Sequence, residues 1–299
     1  MIAKRKIMQM SNSSFIVTLP KDWANLNELN KGEEIEFQDI GNDLIIKGKK
    51  EKELEISLDL SKMSYDLIWR HLICSYRKGA NKLTVKYGNK ENLGYIMYFV
   101  KDLTGWAIVK QDSEKVIIKD LISVETTDFD DTFKKVFLLV LDISQQTLEG
   151  LKKQDKEALE NIKYFDYNIN KFSNLCLRIL NLKGNEYTRT NSLYKIISTL
   201  EEIADEYRKL AIFYTPAKLS SELVGIFEKV NKLLEMFFEV FYKFSSKKLI
   251  DLYVYAEELL AEMKHFKRSS LTETRTFATL FTLLHMIKSL SEENLVLSL

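Results

Sequence analysis

The stretch that most narrows the choice of fold is Ser11-Asn-Ser-Ser-Phe-Ile-Val-Thr-Leu-Pro-Lys-Asp-Trp23, together with the residues on either side of it. Arg5 to Met10 predicts a short strand and Ser11 to Ser14 a polar turn. Phe15 to Leu19 predicts a second strand, since β-branched and aromatic side chains suit a pleated, half-buried surface. Pro20 ends that strand because it has no N–H to give a ladder, and its fixed φ suits the start of a short helix over Lys21 to Leu29. Lys31-Gly32 then turns the chain into a third strand, Glu33 to Phe37. Gly41-Asn42 marks a hairpin, and Leu44 to Ile46 a fourth strand. A unit this small buries too little of its surface to be secure alone, so its apolar strand faces call for the same unit from a second chain.

The order of basic strand, Ser-Asn-Ser turn, Phe15 to Trp23, and then Leu29-Asn-Lys-Gly-Glu-Glu-Ile-Glu-Phe37 resembles the AbrB/SpoVT/MazE family. Its members are swapped-hairpin barrels in which two chains interleave and bind DNA. The resemblance covers about the first 50 residues, with its elements in the family's order. It implies a homodimer and a DNA-facing surface made by Lys4, Arg5, Lys6, Ser11, Asn12 and Ser13, with Lys21 as a further contact. A second reading makes Lys4 to Lys6 a solvated edge that guards against strand-to-strand aggregation. The head then only dimerises. Doubling in a dimer would double each basic patch, and phosphate contacts of that kind give affinity without sequence information.

The whole chain of 299 residues carries a net charge of only +1, which excludes a general polyanion binder and confines any nucleic-acid contact to a local patch. Two prolines and ten glycines suit long uninterrupted helices. Cys74 and Cys176 fall in apolar helical patterns, so both are expected to be buried, reduced thiols rather than a disulfide or metal pair. No targeting signal opens the sequence, and no apolar run approaches the roughly 20 residues of a membrane span. A soluble, cytoplasmic protein without membrane insertion is expected.

Residues 51–123 alternate strand and helix. Strands are predicted over Leu54–Leu60, Lys82–Tyr87, Trp106–Lys110 and Lys115–Leu121, with helices over Ser64–Lys78 and Glu91–Leu103. Gly79 and Gly105 read as helix caps. This is a small α/β sandwich without a phosphate-cradling glycine loop. His71, beside Ile68 and Leu72, reads as a satisfied core histidine. A small-ligand pocket on the exposed sheet face is the functional alternative.

From Asp128 on, six helices are expected: Asp128–Lys152, Lys156–Leu180, Thr190–Phe213, Leu219–Phe244, Lys247–Phe266 and Thr272–Leu290. They are broken at Gln154-Asp155, Lys183-Gly184-Asn185, Thr215-Pro216, Ser245-Ser246 and Ser269-Ser270. Two three-helix units follow, 124–214 and 215–299. In the third of these helices Glu201 and Asp205 lie one turn apart beside the apolar stripe, where two carboxylates repel unless a cation sits between them. Asp166 and Asn170 repeat that spacing on the preceding helix, and hard metal ions favour such oxygen ligands.

Leu200-Glu-Glu-Ile-Ala-Asp205 and Asp166-x-x-Ile169-Asn170 resemble the signature stretches of PhoU proteins, duplicated three-helix bundles that couple phosphate status to transporters and gene expression. The resemblance implies a metal site at Asp166, Asn170, Glu201 and Asp205, holding a divalent or iron-type ion weakly because Asn170 stands where the family has an acid. In the second unit His285 and Ser289 replace the acids of the last helix, leaving Glu257, Glu258 and Glu262 without acidic partners. The alternative is that these carboxylates are a solvated helix face.

The expected fold is α+β and multidomain: a swapped-hairpin barrel (1–50), the α/β sandwich and a duplicated PhoU-like bundle. The expected function is a DNA-binding transcriptional regulator of phosphate uptake and homeostasis, not an enzyme. One rival is an adaptor that binds a phosphate transporter or a histidine sensor kinase, its head only dimerising. The other is a metal-dependent phosphohydrolase.

Overall fold

The computed structural model describes residues 4–11, 14–41, 43–48, 53–122, 127–184, 189–212, 219–267 and 270–299. Asn12, Ser13 and the break at Thr215-Pro216 lie outside the described residues. The chain divides into two compact units, Met1–Leu54 and Glu55–Leu299.

In the first unit β1 (Met8–Ser11) pairs antiparallel with β2 (Ser14–Ile16), α1 (Lys21–Leu26) follows, and β3 (Glu36–Ile40) pairs antiparallel with β4 (Asp43–Lys47). These are two separate two-stranded sheets. Pro20 is the N-cap of α1, and its carbonyl accepts from the Ala24 N–H at 2.9 Å. The helix stops three residues short of the expected Leu29, because Glu28 turns to a positive φ of 53°. The third strand starts three residues later than the pattern suggested, since Glu33 to Ile35 are spent leaving the turn at Gly32 (φ 89°). Every described residue of this unit with an assigned exposure is exposed or half-exposed, so its hairpins enclose no core of their own.

The second unit opens with the strand β5 (Glu55–Asp59), followed by α2 (Tyr65–Arg77), β6 (Lys82–Lys86), α3 (Lys90–Val100), β7 (Trp106–Gln111) and β8 (Lys115–Asp120). The sheet order is β5-β6-β8-β7, with β5 and β6 parallel and the other neighbours antiparallel. Leu83, Val85, Val116 and Ile118 face a core closed by Ile68, Leu72, Tyr76, Ile96 and Phe99 of α2 and α3. Gly79 (φ 94°) follows the α2 C-cap as expected, and there a Cβ would strike the Leu182 side chain.

Among the described residues six helices follow: α4 (Phe129–Lys153), α5 (Lys156–Lys183), α6 (Thr190–Ile212), α7 (Ser221–Tyr242), α8 (Ser246–His265) and α9 (Leu271–Ser298). Their starts are chemical. Asp128, Asp155, Ser220, Ser245 and Ser270 each accept a backbone N–H of the first turn through the side chain. Helices α4, α5 and α6 pack on one another, as do α7, α8 and α9, and the two triplets meet through α4 against α7 and α6 against α9. One continuous apolar core runs through both. Among the described residues no helix is long and apolar enough to cross a membrane.

Cys176 is buried, but Cys74 is exposed, contrary to the reading that buried both. The core stripe of α2 runs through Ile68, Leu72 and Tyr76, and a residue two positions after Leu72 points away from it. His71 is half-exposed and bonds through Nδ1 to the Leu67 carbonyl oxygen at 2.7 Å, one turn back on its own helix.

Candidate functional site

Two regions carry the residues singled out by the sequence. In the head, Lys4, Arg5 and Lys6 are all exposed and lead into β1, and Lys21 is exposed at the first position of α1. Among the described residues the Arg5 guanidinium donates only to the neighbouring Lys4 carbonyl, at 3.1 Å, which leaves most of its fork open. Ser11 lies in β1 opposite Ser14 in the register, at the turn end of the hairpin. By contrast Lys47 is held by Glu36 across β3 and β4 at 3.1 Å. Among the described residues, the exposed basic charges of the head are thus the run Lys4 to Lys6 before β1, with Lys21 on α1 and Lys31 in the turn after it.

The second region is a cavity of about 410 Å³ between α2 and α3 of the α/β layer and α5 and α6 of the bundle. Helical spacing brings the predicted residues there. Asp166, Asn170 and Asn174 follow one another at four-residue steps on α5, and Glu201, Asp205 and Arg208 share a face of α6. All six line the cavity, so Asp166, Asn170, Glu201 and Asp205 do converge. The opposite wall, from α2, α3 and the residue that follows them, is Trp69, Phe99 and Asp102, with Tyr167 of α5 beside it.

Arg208 decides the electrostatics. Its Nε lies 3.2 Å from Asp166 Oδ2 and its Nη2 3.2 Å from Asp205 Oδ1, so one guanidinium holds both carboxylates together. Burial nevertheless pushes the Asp166 carboxyl up to about 6; Arg208 opposes the rise and Asp205 adds to it. Burial likewise pushes Glu201 up to about 6, against the pull of Arg77. Arg77 itself gives its Nε–H to Asn174 Oδ1 at 2.6 Å. Asp102 is raised by burial, while the Tyr167 hydroxyl, which donates to it at 2.9 Å, and Lys171 hold it down.

These donors do not fit the metal that the PhoU resemblance implies. Among the described residues no three His, Cys, Asp or Glu side chains form a group able to hold an ion. Arg208 supplies a cation to Asp205 and to Asp166 of the neighbouring helix, but not to Glu201, one turn before Asp205. In the last three helices the acids are likewise matched by lysines, Glu257 with Lys288 and Glu262 with Lys229, and His285 packs its ring against Phe281 at 4.5 Å.

Sequence reasoning missed Arg208, although its place three residues after Asp205 was a usable signal for an ion pair on one helix face. It also missed Asp102 and the aromatic wall, which come from a different layer and carry no local pattern.

Residues 8–54 match the family model described as antidote-toxin recognition MazE, bacterial antitoxin. No curated protein and no solved structure matches the chain. The N-terminal domain is thus similar to MazE/AbrB-like regulatory domains, which is consistent with a DNA-binding regulatory function, and it is joined to an α/β layer and a helical bundle.

Proposed function

We propose that the chain is a DNA-binding transcriptional regulator of phosphate uptake, whose head grips operator DNA as a homodimer and whose bundle receives the signal. The observation that carries the first half is the exposed basic run Lys4 to Lys6, without an ion pair among the described residues, leading into β1 of the MazE-like domain. The phosphate half rests on the PhoU-like stretches at 166–170 and 200–205, which meet at one cavity in a bundle built of two helix triplets. Its work is binding rather than catalysis, in keeping with a cavity whose acids are mostly engaged by Arg208 and Tyr167.

The test is a titration of promoter fragments from a phosphate-uptake operon at several salt concentrations. Log affinity should fall with log salt at a slope of about 0.9 per phosphate contact. Arg5→Ala should cost most, because its planar fork can reach a guanine edge as well as phosphate, while Lys4→Ala with Lys6→Ala should lower the slope. Promoter affinity unchanged by both variants would remove this strand from the interface. A wild-type protein that fails to bind at low salt would favour the adaptor, in which the head only dimerises and the bundle meets a transporter or sensor kinase.

A further inference from the structure

We infer that the cavity between α2, α3, α5 and α6 binds a small organic ammonium ion, with Glu201 as its counter-charge and the Trp69, Phe99 and Tyr167 rings as its wall. As the signal of the regulator, this ligand rests on the function proposed above; as a site, it stands on the cavity alone.

Volume comes first. About 410 Å³ lies within the range that small-molecule sites occupy, and the lining joins aromatic rings to a larger number of charged and amide side chains, which suits a small charged ligand. Charge then narrows the class. Arg208 is shared by Asp166 and Asp205, one positive charge between two carboxylates, and Tyr167 donates to Asp102. Glu201 is the lining carboxylate left over: among the described residues it is half-buried and makes no hydrogen bond or ion pair. Arg77, whose Nε–H goes to Asn174, is the cation that pulls on it, but the two form no ion pair among the described residues. A half-buried carboxylate without a partner is costly, and a cation brought by a ligand would supply the partner.

The aromatic wall says what kind of cation. A metal ion needs several oxygens around it, and Arg208 already occupies two of the carboxylates on offer. An ammonium group needs one carboxylate and gains from the faces of tryptophan and tyrosine, for which a metal has less use. An anion is disfavoured because Asp102, Asp166, Glu201 and Asp205 would all face it. Of the basic residues in the lining, Lys171 acts on Asp102 and Arg208 is held by Asp166 and Asp205, while Lys163 is exposed and lies over the outward Tyr164 ring at 5.1 Å.

The experiment is calorimetric titration of the full-length protein near pH 8 with putrescine and tetramethylammonium, and in parallel with magnesium chloride and with sodium phosphate. One amine site per chain is expected, with binding reported by a change in tryptophan fluorescence that is absent in Trp69→Phe. Glu201→Gln, which keeps the shape, should weaken putrescine by about tenfold or more. Lys163→Ala should leave it unchanged or tighten it. Circular dichroism and the unfolding midpoint confirm that each variant is folded. No amine binding by the wild type, or equal binding by a folded Glu201→Gln, would overturn the site, as would stoichiometric magnesium or phosphate that the amines fail to displace. Promoter affinity measured with and without putrescine separates the two readings. Amine binding without an effect on DNA would keep the site and remove its signalling role, whereas promoter binding by a protein that takes up no amine would leave the regulator and remove the site.

Discussion

Arg178 of α5 donates to Asp120 at the end of β8 at 2.6 Å, with the two side chains only 1% and 9% exposed. The same guanidinium donates to the backbone carbonyls of Tyr76 at 2.5 Å and Ala80 at 3.0 Å, and its carbon lies 4.8 Å from the centre of the Tyr76 ring. Three hydrogen bonds through Nη1 and Nη2 and the Tyr76 ring make this buried charge tolerable, although its Nε is left buried without a partner. The clamp fixes the α/β layer against the bundle and so gives the cavity one wall from each.

Breaking that clamp from one side should be severe. Asp120→Ala leaves an unpaired buried guanidinium, and a cost of about 3–5 kcal/mol is expected in urea unfolding. Replacing both partners, Arg178→Met with Asp120→Leu, should cost less than either single change, since no charge is then stranded. A single change costing under about 1 kcal/mol would show that the pair is dispensable.

The helices were legible because each rests on local signals, an apolar stripe of period 3.6 and a capping side chain such as Asp155, Ser245 or Ser270 at its start. The clamp was not. Cys176-Leu-Arg-Ile-Leu180 reads as an apolar helix turn with one arginine free to face water, and nothing local shows that β8 supplies Asp120 opposite. The cavity was half legible for the same reason. The spacing of Asp166, Asn170, Glu201 and Asp205 set them on helix faces, whereas Trp69, Phe99 and Asp102 arrive through tertiary packing. The head's strand ends were the poorest match, because strands of three to five residues carry few alternations to count.

The two helix triplets are joined by a buried polar chain. Tyr207 of α6 donates to Asn231 Oδ1 of α7 at 2.8 Å, and Asn231 Nδ2 donates to the Ser144 carbonyl of α4 at 2.9 Å. Asn231→Leu should strand both the hydroxyl and the carbonyl at about 1–3 kcal/mol each. Tyr207→Phe in the same background should recover part of that loss. A neutral Asn231→Leu, read by thermal or urea unfolding, would mean that the triplets hold together by apolar packing alone.

Stability should fall as pH rises through the range in which the cavity carboxyls ionise. Asp166 is raised from 3.8 to about 6 and Glu201 from 4.5 to about 6, so the folded protein holds protons that the unfolded chain has released. Their favourable contribution is complete below about pH 4 and gone above about pH 6. Asp59, Asp112, Glu149 and Glu257 are shifted downward by hydrogen bonds and act in the opposite direction. The informative quantity is therefore the difference between wild type and Asp166→Asn with Glu201→Gln. The variant's advantage should grow between pH 4 and pH 6 and then level off; a difference independent of pH would show that neither carboxyl is perturbed.

The head should be where two chains meet. Phe15, Met10 and Phe37 are 74%, 75% and 53% exposed, and Leu44 is exposed as well, on hairpins that enclose no core, as is Leu26 at the end of α1. Apolar side chains in that number on so small a unit gain most from a second copy that covers them. Phe15→Asp with Phe37→Asp should convert a dimer to a monomer in sedimentation velocity, because burying a carboxylate against the partner costs more than the lost ring contributes. Far-ultraviolet circular dichroism should barely change, since the helices of any length belong to the separate unit Glu55–Leu299. Promoter affinity should fall together with the dimer, as each monomer brings only one Lys4-Arg5-Lys6 run to the phosphates. A dimer that survives both changes would place the shared surface elsewhere, and a wild-type protein that is monomeric at micromolar concentration would end the two-chain reading of the head.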